Sequence, residues 1–146
     1  MLGYHESIDY IGGVRMEFKR IHHVAIIASD YEQSKVFYVE KLRARILEET
    51  YREHRDSYKL DLELAPGVQI ELFSFPNPPS RPSQPEACGL RHLAFAVEDV
   101  QAAKVELESR GIEVEAIRVD ELTGRLFTFF ADPDGLPLEL YEEKGD

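Results

Sequence analysis

The stretch IHHVAIIASD at residues 21–30 decides the fold, because the chain repeats it as LRHLAFAVED at residues 90–99. Each copy carries a histidine at its third position, His23 in the first and His92 in the second. A short apolar run follows each histidine, and an aspartate closes each copy. Because repetition at a fixed spacing marks a repeated structural unit, the sequence predicts two half-chains of the same fold.

Each copy is followed by a second apolar segment that contains a single glutamate. Glu71 lies in VQIELF, 48 residues after His23, and Glu139 lies in LPLELY, 47 residues after His92. One histidine on a strand is usually structural, but a lone carboxylate inside an apolar strand is costly unless it is paired or bound to a metal. Two matching His–Glu pairs therefore favour a metal site.

Hydrophobic spacing and turn residues predict the order β-α-β-β-β in both halves. Ser29 or Asp30 is placed to cap the first helix, which ends near Leu42, and Asp99 to cap the second, which ends near Arg110. The predicted fold is α+β, built from two tandem βαβββ modules. The predicted strands are residues 21–28, 44–51, 58–64 and 68–74 in the first half and 90–97, 112–119, 125–131 and 136–142 in the second.

The pattern divides the chain into four parts. Residues 1–18 precede the first repeat, match nothing in the second half and lack the apolar core of a signal peptide, so they form an N-terminal extension. Residues 19–75 form the first module and residues 90–142 the second. The Pro-rich segment 76–89 between them has no periodicity and is interpreted as a linker.

Side-chain alternation along the strands predicts where the four candidate residues point. His23 shares a face with the small Ala25, and His92 shares a face with Ala94 and Ala96. Glu71 and Glu139 alternate with aliphatic residues that face the helices, so all four candidates are expected on the faces away from the helices. The first helix is expected to cover the opposite face with Val36, Phe37 and Leu42.

Composition excludes several classes of function. The chain has 28 acidic and 17 basic residues and a formal charge of −11, which argues against nucleic acid and against anionic membrane surfaces as partners. No apolar run is long enough to span a bilayer. Cys88 is the only cysteine, so no intrachain disulfide can form, and this predicts a reducing compartment such as the cytoplasm.

Two imidazoles and two carboxylates without a thiolate suit one divalent ion such as Zn, Ni, Co, Mn or Fe(II). Such a site leaves positions for two neighbouring substrate oxygens, where the ion acts as a Lewis acid and a carboxylate moves a proton. The chain lacks a Gly-rich phosphate loop and a Gly-x-Ser-x-Gly motif, which disfavours nucleotide binding and serine hydrolysis. His22 aligns with Arg91 of the second copy and is interpreted as structural or solvent-facing.

Four motifs, in their duplicated order, carry a resemblance to a known family. They are His23-Val-Ala-Ile, Ile70-Glu71-Leu, Arg91-His92-Leu-Ala-Phe and Asp132-Pro-Asp-Gly-Leu-Pro-Leu-Glu139-Leu-Tyr. With these motifs the chain resembles the vicinal oxygen chelate superfamily, which includes glyoxalase I, methylmalonyl-CoA epimerase, extradiol dioxygenases and fosfomycin or bleomycin resistance proteins. The resemblance covers about residues 20–142.

The resemblance implies a reaction of the glyoxalase I type, a metal-dependent lyase or isomerase that acts on a small hydroxy-carbonyl (thiohemiacetal-type) substrate through an enediolate. Glyoxalase I uses His, Glu, His and Glu as ligands, which correspond here to His23, Glu71, His92 and Glu139. Glu139 or Glu71 would also serve as the catalytic base. Epimerases usually carry Gln in place of Glu71, and dioxygenases and fosfomycin transferases typically use three ligands.

Substrate contacts are expected to differ from those of glutathione-dependent glyoxalases. Those enzymes commonly carry an Arg four residues after the first His and an Asn four residues after the first Glu, whereas this chain has Ile27 and Phe75. We therefore expect poor use of glutathione. Arg55 and Lys59 are candidate anion anchors for the substrate, with Arg125 as a further candidate, and an ordinary solvated loop is the alternative interpretation.

The resemblance also implies a homodimer, because paired modules in this superfamily associate between chains as well. Either one chain or two could supply the ligands of one ion. Two further functions compete with the lyase: a non-catalytic module that binds a small molecule, and a metal-dependent dioxygenase. The complete set of four candidate ligands favours the lyase.

Overall fold

The computed structural model describes residues 16–145 and contains two four-stranded sheets. The expected α+β fold with two modules is confirmed, while the predicted extension falls largely outside the described residues. The first sheet has the order β1-β4-β3-β2 and the second β5-β8-β7-β6. The strands are β1 (Val24–Ala28), β2 (Arg45–Arg52), β3 (Ser57–Ala65), β4 (Val68–Ser74), β5 (Leu93–Val97), β6 (Arg118–Val119), β7 (Leu126–Ala131) and β8 (Pro137–Glu142).

Each module closes by pairing its first strand in parallel with its last. Ala25 on β1 lies opposite Glu71 on β4, and Ala94 on β5 lies opposite Glu139 on β8. The other strand pairs are antiparallel and joined by short turns or loops. Because these strands are parallel neighbours, His23, just before β1, lies close to Glu71 on β4, and His92, just before β5, lies close to Glu139 on β8.

The helices begin where the sequence predicts. The carboxylate of Asp30 accepts a hydrogen bond from the backbone of Gln33 and caps α1 (Tyr31–Lys35), and Asp99 caps α2 (Val100–Ser109) in the same way. Asp30 rather than Ser29 is therefore the cap of the first helix.

The first helix continues from α1 as a π-helical segment, Val36–Lys41. The wider turn changes which side chains face inward. Phe37 is buried as predicted and Tyr38 is fully buried, but Val36 is 41% exposed, so the prediction that Val36 faces inward is wrong. Leu42 is partly buried against the core.

Three of the predicted strand ranges, 21–28, 90–97 and 112–119, were too long. His23 and His92 lie immediately before β1 and β5 rather than within them. The predicted strand 112–119 shrinks to two residues, because its earlier backbone groups find other partners. Ile112 donates to the end of α2, and the carbonyl of Glu115 accepts from the hydroxyl of Thr128 at 2.7 Å.

The covered faces of the two sheets and the helices share one apolar core. The Phe37 and Phe130 rings lie 6.4 Å apart across the boundary between the modules. Arg110 of the second module donates to the carbonyl of Lys41 in the first at 2.7 Å. Because the covered faces meet in this core, the open faces of the two sheets lie on its outer sides.

The predicted turn Asp-Pro-Asp-Gly fastens the two modules together. Buried Asp132 accepts from the backbone of Asp134 and of Leu136, each at 2.9 Å, and from the hydroxyl of Tyr38 at 2.8 Å. Asp134 accepts from the backbone of Ser29 at 3.1 Å and from the Ser29 hydroxyl. The turn therefore holds the start of the first helix as well as its own loop.

We expect Tyr38→Phe to weaken the dependence of stability on alkaline pH. Burial, and next the charge of Asp132, raise the pKa of Tyr38. The folded phenol therefore stays protonated while the unfolded chain loses its proton near pH 10, so the unfolding free energy falls as pH rises above about 10. Removing the phenol should reduce this slope by up to about 1.4 kcal/mol per pH unit.

Urea unfolding followed by circular dichroism between neutral and alkaline pH measures this slope. Tyr51→Phe is the comparison at an exposed position, where the hydrogen bond to Asp56 also raises the pKa of the phenol but burial contributes less than at Tyr38, so a smaller reduction of the slope is expected. Parallel pH profiles for wild type and Tyr38→Phe would contradict the prediction.

Candidate functional site

The first predicted pair is assembled on the open face of the first sheet. Nε2 of His23 lies 3.0 Å from Oε2 of Glu71, with side-chain exposures of 38% and 16%. Nδ1 of His22 lies 2.9 Å from Nδ1 of His23, and the two rings meet edge to face. His22 therefore contacts the back of the His23 ring and orients Nε2 towards the carboxylate, a role that the sequence analysis did not assign.

Lys59 lies beside this pair. Its ammonium is 2.9 Å from Oδ1 of Asp61 and 3.7 Å from Oε1 of Glu71. The hydrogen bond to Asp61 raises the pKa of Lys59. The structure thus brings Lys59 to the candidate site, where its charge is already shared by two carboxylates.

The second predicted pair lies on the open face of the second sheet. Nε2 of His92 is 3.4 Å from Oε2 of Glu139, which is buried. The Phe129 ring meets the His92 ring edge to face, with centroids 5.1 Å apart. No lysine or arginine nitrogen within residues 16–145 lies within 4.0 Å of the Glu139 carboxylate. This pair sits in a more apolar setting than the first.

Aromatic rings continue this apolar setting across the second sheet. Phe127 packs against Phe129 on one side and stacks on Tyr141 on the other. The Arg118 guanidinium lies over both phenylalanines, 5.0 and 5.5 Å from their centroids. The open face of the second sheet is therefore a wall of aromatic rings, whereas the open face of the first also carries charged side chains, among them Lys59, Asp61 and Glu71.

The Pro-rich segment contributes to the site as well. A pocket of about 260 Å³ lies between this segment and the second sheet, and its lining includes Arg81, Arg91, His92 and Phe129. Arg81 fixes the segment by donating to the carbonyls of Leu90 and Arg91 at 2.6 and 3.0 Å. The absence of periodicity predicts only a linker for this segment, and an arginine among its prolines is the one signal of another role.

A larger cavity, of about 560 Å³, lies between the modules on the covered side. Its lining is mainly aliphatic, with Leu42, Leu64, Phe95 and Leu107 among its residues, and it contains neither candidate histidine. The chemistry of the four candidate ligands is therefore found on the open faces and not in this larger space.

The geometry of each pair fits a shared metal ion. Ligand atoms about 2.0–2.2 Å from a zinc-type ion, at an angle of about 90–110°, lie about 2.8–3.6 Å apart. The His23–Glu71 and His92–Glu139 separations fall in this range. Within residues 16–145, however, no group of three or more His, Cys, Asp or Glu side chains is placed to hold one ion. The described residues present two candidate half-sites, one on the open face of each sheet.

The predicted arginines lie in different places. The Arg55 guanidinium sits 5.5 Å from the centroid of Phe75, beside Arg52, which lies over Phe73 and Phe75. Arg125 is exposed in the turn between β6 and β7. Arg52 begins the polar segment 52–61 that the sequence favours for substrate contacts, but only Arg55 and Lys59 of this segment were predicted as anion anchors.

Comparison with known proteins agrees with the duplicated fold. The family model described as the Glyoxalase/Bleomycin resistance protein/Dioxygenase superfamily matches residues 20–140. The chain belongs to this superfamily. Members of the glyoxalase superfamily include enzymes and non-enzymatic proteins, commonly bind a divalent metal and often act as dimers with small-molecule ligands.

Three superfamily relatives are similar over nearly their whole length. The uncharacterized protein YwkD of Bacillus subtilis (strain 168) is 62% identical over 128 residues, 88% of this chain and 100% of YwkD. The uncharacterized protein YaeR of Escherichia coli (strain K12) is 61% identical over 125 residues, 86% of this chain and 97% of YaeR. The crystal structure of a glyoxalase family protein from Enterococcus faecalis has a TM-score of 0.82 and 54% identity, and the match covers 87% of this chain and 100% of that chain.

In the part of this superfamily member that the structure describes, no helix is both long and apolar enough to cross a membrane.

Proposed function

We propose that this protein is a metal-dependent lyase or isomerase of the glyoxalase I type that acts on a small hydroxy-carbonyl adduct. One divalent ion would be held by His23, Glu71, His92 and Glu139. The observation that supports this is the presence of two His–Glu pairs at equivalent places on two sheets, each with the separation that two ligands of one ion require. The donor set suits a borderline divalent ion but does not select one.

The four ligands would come together between two copies of the chain. Each pair lies on the open face of its own sheet, and the covered faces of the two sheets are joined in one core. A second copy that lays its second sheet against the first sheet of its partner would unite two half-sites. Two-fold symmetry would then produce two identical sites in a closed homodimer.

Bound there, the ion would supply Lewis acidity, which stabilises the negative charge of an enediolate on two neighbouring substrate oxygens. Glu139 is the better candidate for the base that takes the proton from one carbon and returns it to the next. Its carboxylate contacts His92, whereas Lys59 and His23 both hold Glu71. The aromatic rings around Glu139 would exclude water from the transferred proton.

A second function is supported by the aromatic wall of the second module. Stacked rings such as those of Phe127 and Tyr141 are well suited to binding a flat apolar molecule without any reaction. Such a protein would bind its ligand in a stoichiometric complex. Turnover of a thiohemiacetal by the metal-loaded protein would separate the lyase from this binding function.

We expect low activity with the adduct of methylglyoxal and glutathione, despite bound metal. Ile27 is 52% exposed on the open face, where it offers an anionic tripeptide no hydrogen bond, and the Phe75 ring stacks with Phe73. Each missing charge-assisted hydrogen bond is worth about 1.5–3 kcal/mol. We therefore expect kcat/KM below about 10⁴ M⁻¹s⁻¹, the lower end of ordinary enzyme values.

Steady-state assays of the as-purified protein and of preparations loaded with Ni, Co, Mn or Zn test this expectation. Thiohemiacetals formed from thiols other than glutathione are assayed in parallel, because the lyase proposal predicts that at least one of them is an efficient substrate. Efficient turnover with glutathione would show that this interpretation of Ile27 and Phe75 is wrong. Absence of turnover of all these thiohemiacetals by metal-loaded protein would count against the lyase itself.

A further inference from the structure

We propose that Arg52 and Arg55 form an oxyanion-binding subsite that holds a carboxylate or phosphate group of the ligand. This inference rests on the proposed function in one respect: the ligand is taken to be the substrate that binds on the open face of the first sheet. The shared chemistry is a small organic molecule with an anionic oxygen group at one end.

Two guanidinium groups gather over two stacked rings at this place. The Phe73 and Phe75 rings stack with centroids 5.9 Å apart and an angle of 11°. The Arg52 guanidinium lies 4.9 Å from the centroid of Phe73 and 5.7 Å from that of Phe75. Arg55 lies 5.5 Å from the centroid of Phe75. The aromatic faces hold both cations in place, so little side-chain entropy remains to be lost when an anion binds.

These two cations lack an acidic partner among the described residues. Over residues 16–145, no carboxylate oxygen lies within 4.0 Å of the Arg52 or Arg55 guanidinium. Other cations on the same sheet do have such partners: Arg45 lies 2.7 Å from Glu63 and Lys59 2.9 Å from Asp61. Two adjacent uncompensated cations are unexpected in a chain with 28 acidic residues, because their mutual repulsion opposes their clustering.

One donor of this cluster is also left without an acceptor. Arg52 uses Nη2 to donate to the hydroxyl of Ser57 at 2.8 Å, and Ser57 is fully buried. Nε of Arg52 is buried but has no hydrogen-bond partner. Buried donors are normally paired, so the unpaired N–H shows that the Arg52 guanidinium is held in place at some cost in stability, which an oxyanion bound to its accessible N–H groups would offset.

The subsite faces the same side of the sheet as the first His–Glu pair. Phe73 lies two residues beyond Glu71 on β4, and residues two apart on a strand share a face at a separation of about 6.6 Å. Lys59, which pairs with Phe73 in the sheet register, reaches back to Glu71 at 3.7 Å. A small ligand could therefore place reacting oxygens at the His–Glu pair and its anionic group at Arg52 and Arg55.

Nuclear magnetic resonance of the full-length protein can test the subsite without a known substrate. Methyl phosphate and propionate, each titrated at constant ionic strength, represent the phosphate and carboxylate sources. The backbone amides of Phe73 and Phe75 report on binding in every variant. We expect saturable shifts at millimolar concentrations of at least one probe, and the probe that binds more tightly identifies the preferred group.

Arg52→Gln and Arg55→Gln should each weaken binding about tenfold, because each removes charge-assisted hydrogen bonds to the anion. Arg45→Gln is the matched control, since it removes a cation from the same strand that already has Glu63 as a partner, and it should leave the affinity within about twofold. Arg55→Gln, at an exposed position, keeps the test valid if Arg52→Gln fails to fold. Absence of saturation with both probes, or equal loss in Arg45→Gln, would overturn the subsite.

Elemental analysis of the same preparations separates this inference from the proposed function. All three arginine variants should retain the metal content of the wild type. Saturable anion binding by a wild-type protein that does not take up metal would uphold the subsite while the lyase proposal fails. Metal uptake without anion binding would overturn the subsite alone.

Discussion

Replacing His92 with alanine is expected to lower the divalent-metal content of the purified protein by about tenfold or more. His92 supplies one of four proposed ligands, and its loss leaves Glu139 without the nitrogen that lies 3.4 Å away. Glu71→Gln should have a comparable effect in the other half-site, because a neutral amide is a weaker ligand than a carboxylate. Elemental analysis after gel filtration measures both. His54→Ala, at an exposed position, is the matched control and should keep the wild-type content.

Mixing two variants tests whether the ligands come from two copies. Neither His23→Ala nor His92→Ala should hold metal alone. After unfolding and refolding together, half of the dimers would contain one chain of each kind, and each of these would rebuild one intact site. Random assortment should therefore restore about a quarter of the wild-type metal content. A mixture that stays metal-free would show that each site is formed within one chain, and wild-type content in the single variants would refute the ligand assignment.

Asp132→Ala should lower the unfolding free energy by about 3–5 kcal/mol, the largest loss of stability that we expect from a polar substitution in this chain. It would leave the Tyr38 hydroxyl and two backbone N–H groups, those of Asp134 and Leu136, without their acceptor. Two of these donors lie in buried surroundings, where an unpaired group costs most.

Urea unfolding of the metal-free protein measures the effect of Asp132→Ala without a contribution from ligand binding. Asp134→Ala removes the neighbouring carboxylate, which bonds only to Ser29 in an exposed setting, and should cost about 1 kcal/mol. Similar losses for the two variants would show that the contact between Tyr38 and the turn contributes little.

The repeat in the sequence was sufficient to predict the fold and the two His–Glu pairs. The His and the Glu of each pair occupy equivalent positions in the two modules, so the two repeats predict the same pair independently. Other features depend on contacts that no local pattern encodes. The inward position of Tyr38 instead of Val36 follows from a π-helical segment, and the register of β2 shifts between Ile46 and Glu48, which breaks simple alternation.

The place of Arg52 over Phe73 and Phe75 could not be predicted for the same reason. The guanidinium of Arg52, at the end of β2, reaches the Phe73 ring on β4, which is not its neighbour in the sheet order β1-β4-β3-β2, and the Phe75 ring just beyond β4. Only the packed sheet shows that this cation has aromatic contacts and that no carboxylate of residues 16–145 pairs with it. The bond network of Asp132 likewise joins residues 94 positions apart in the chain.

The parallel pairing of the first and last strand in each module has a consequence for the order of events in folding. His23 and Glu71 meet only after the strand that carries Glu71 has docked beside β1, which closes a loop of 48 residues. The same holds for His92 and Glu139. A half-site therefore exists only in a module whose chain is complete, and an ion that binds there selectively stabilises the finished module against release of its last strand.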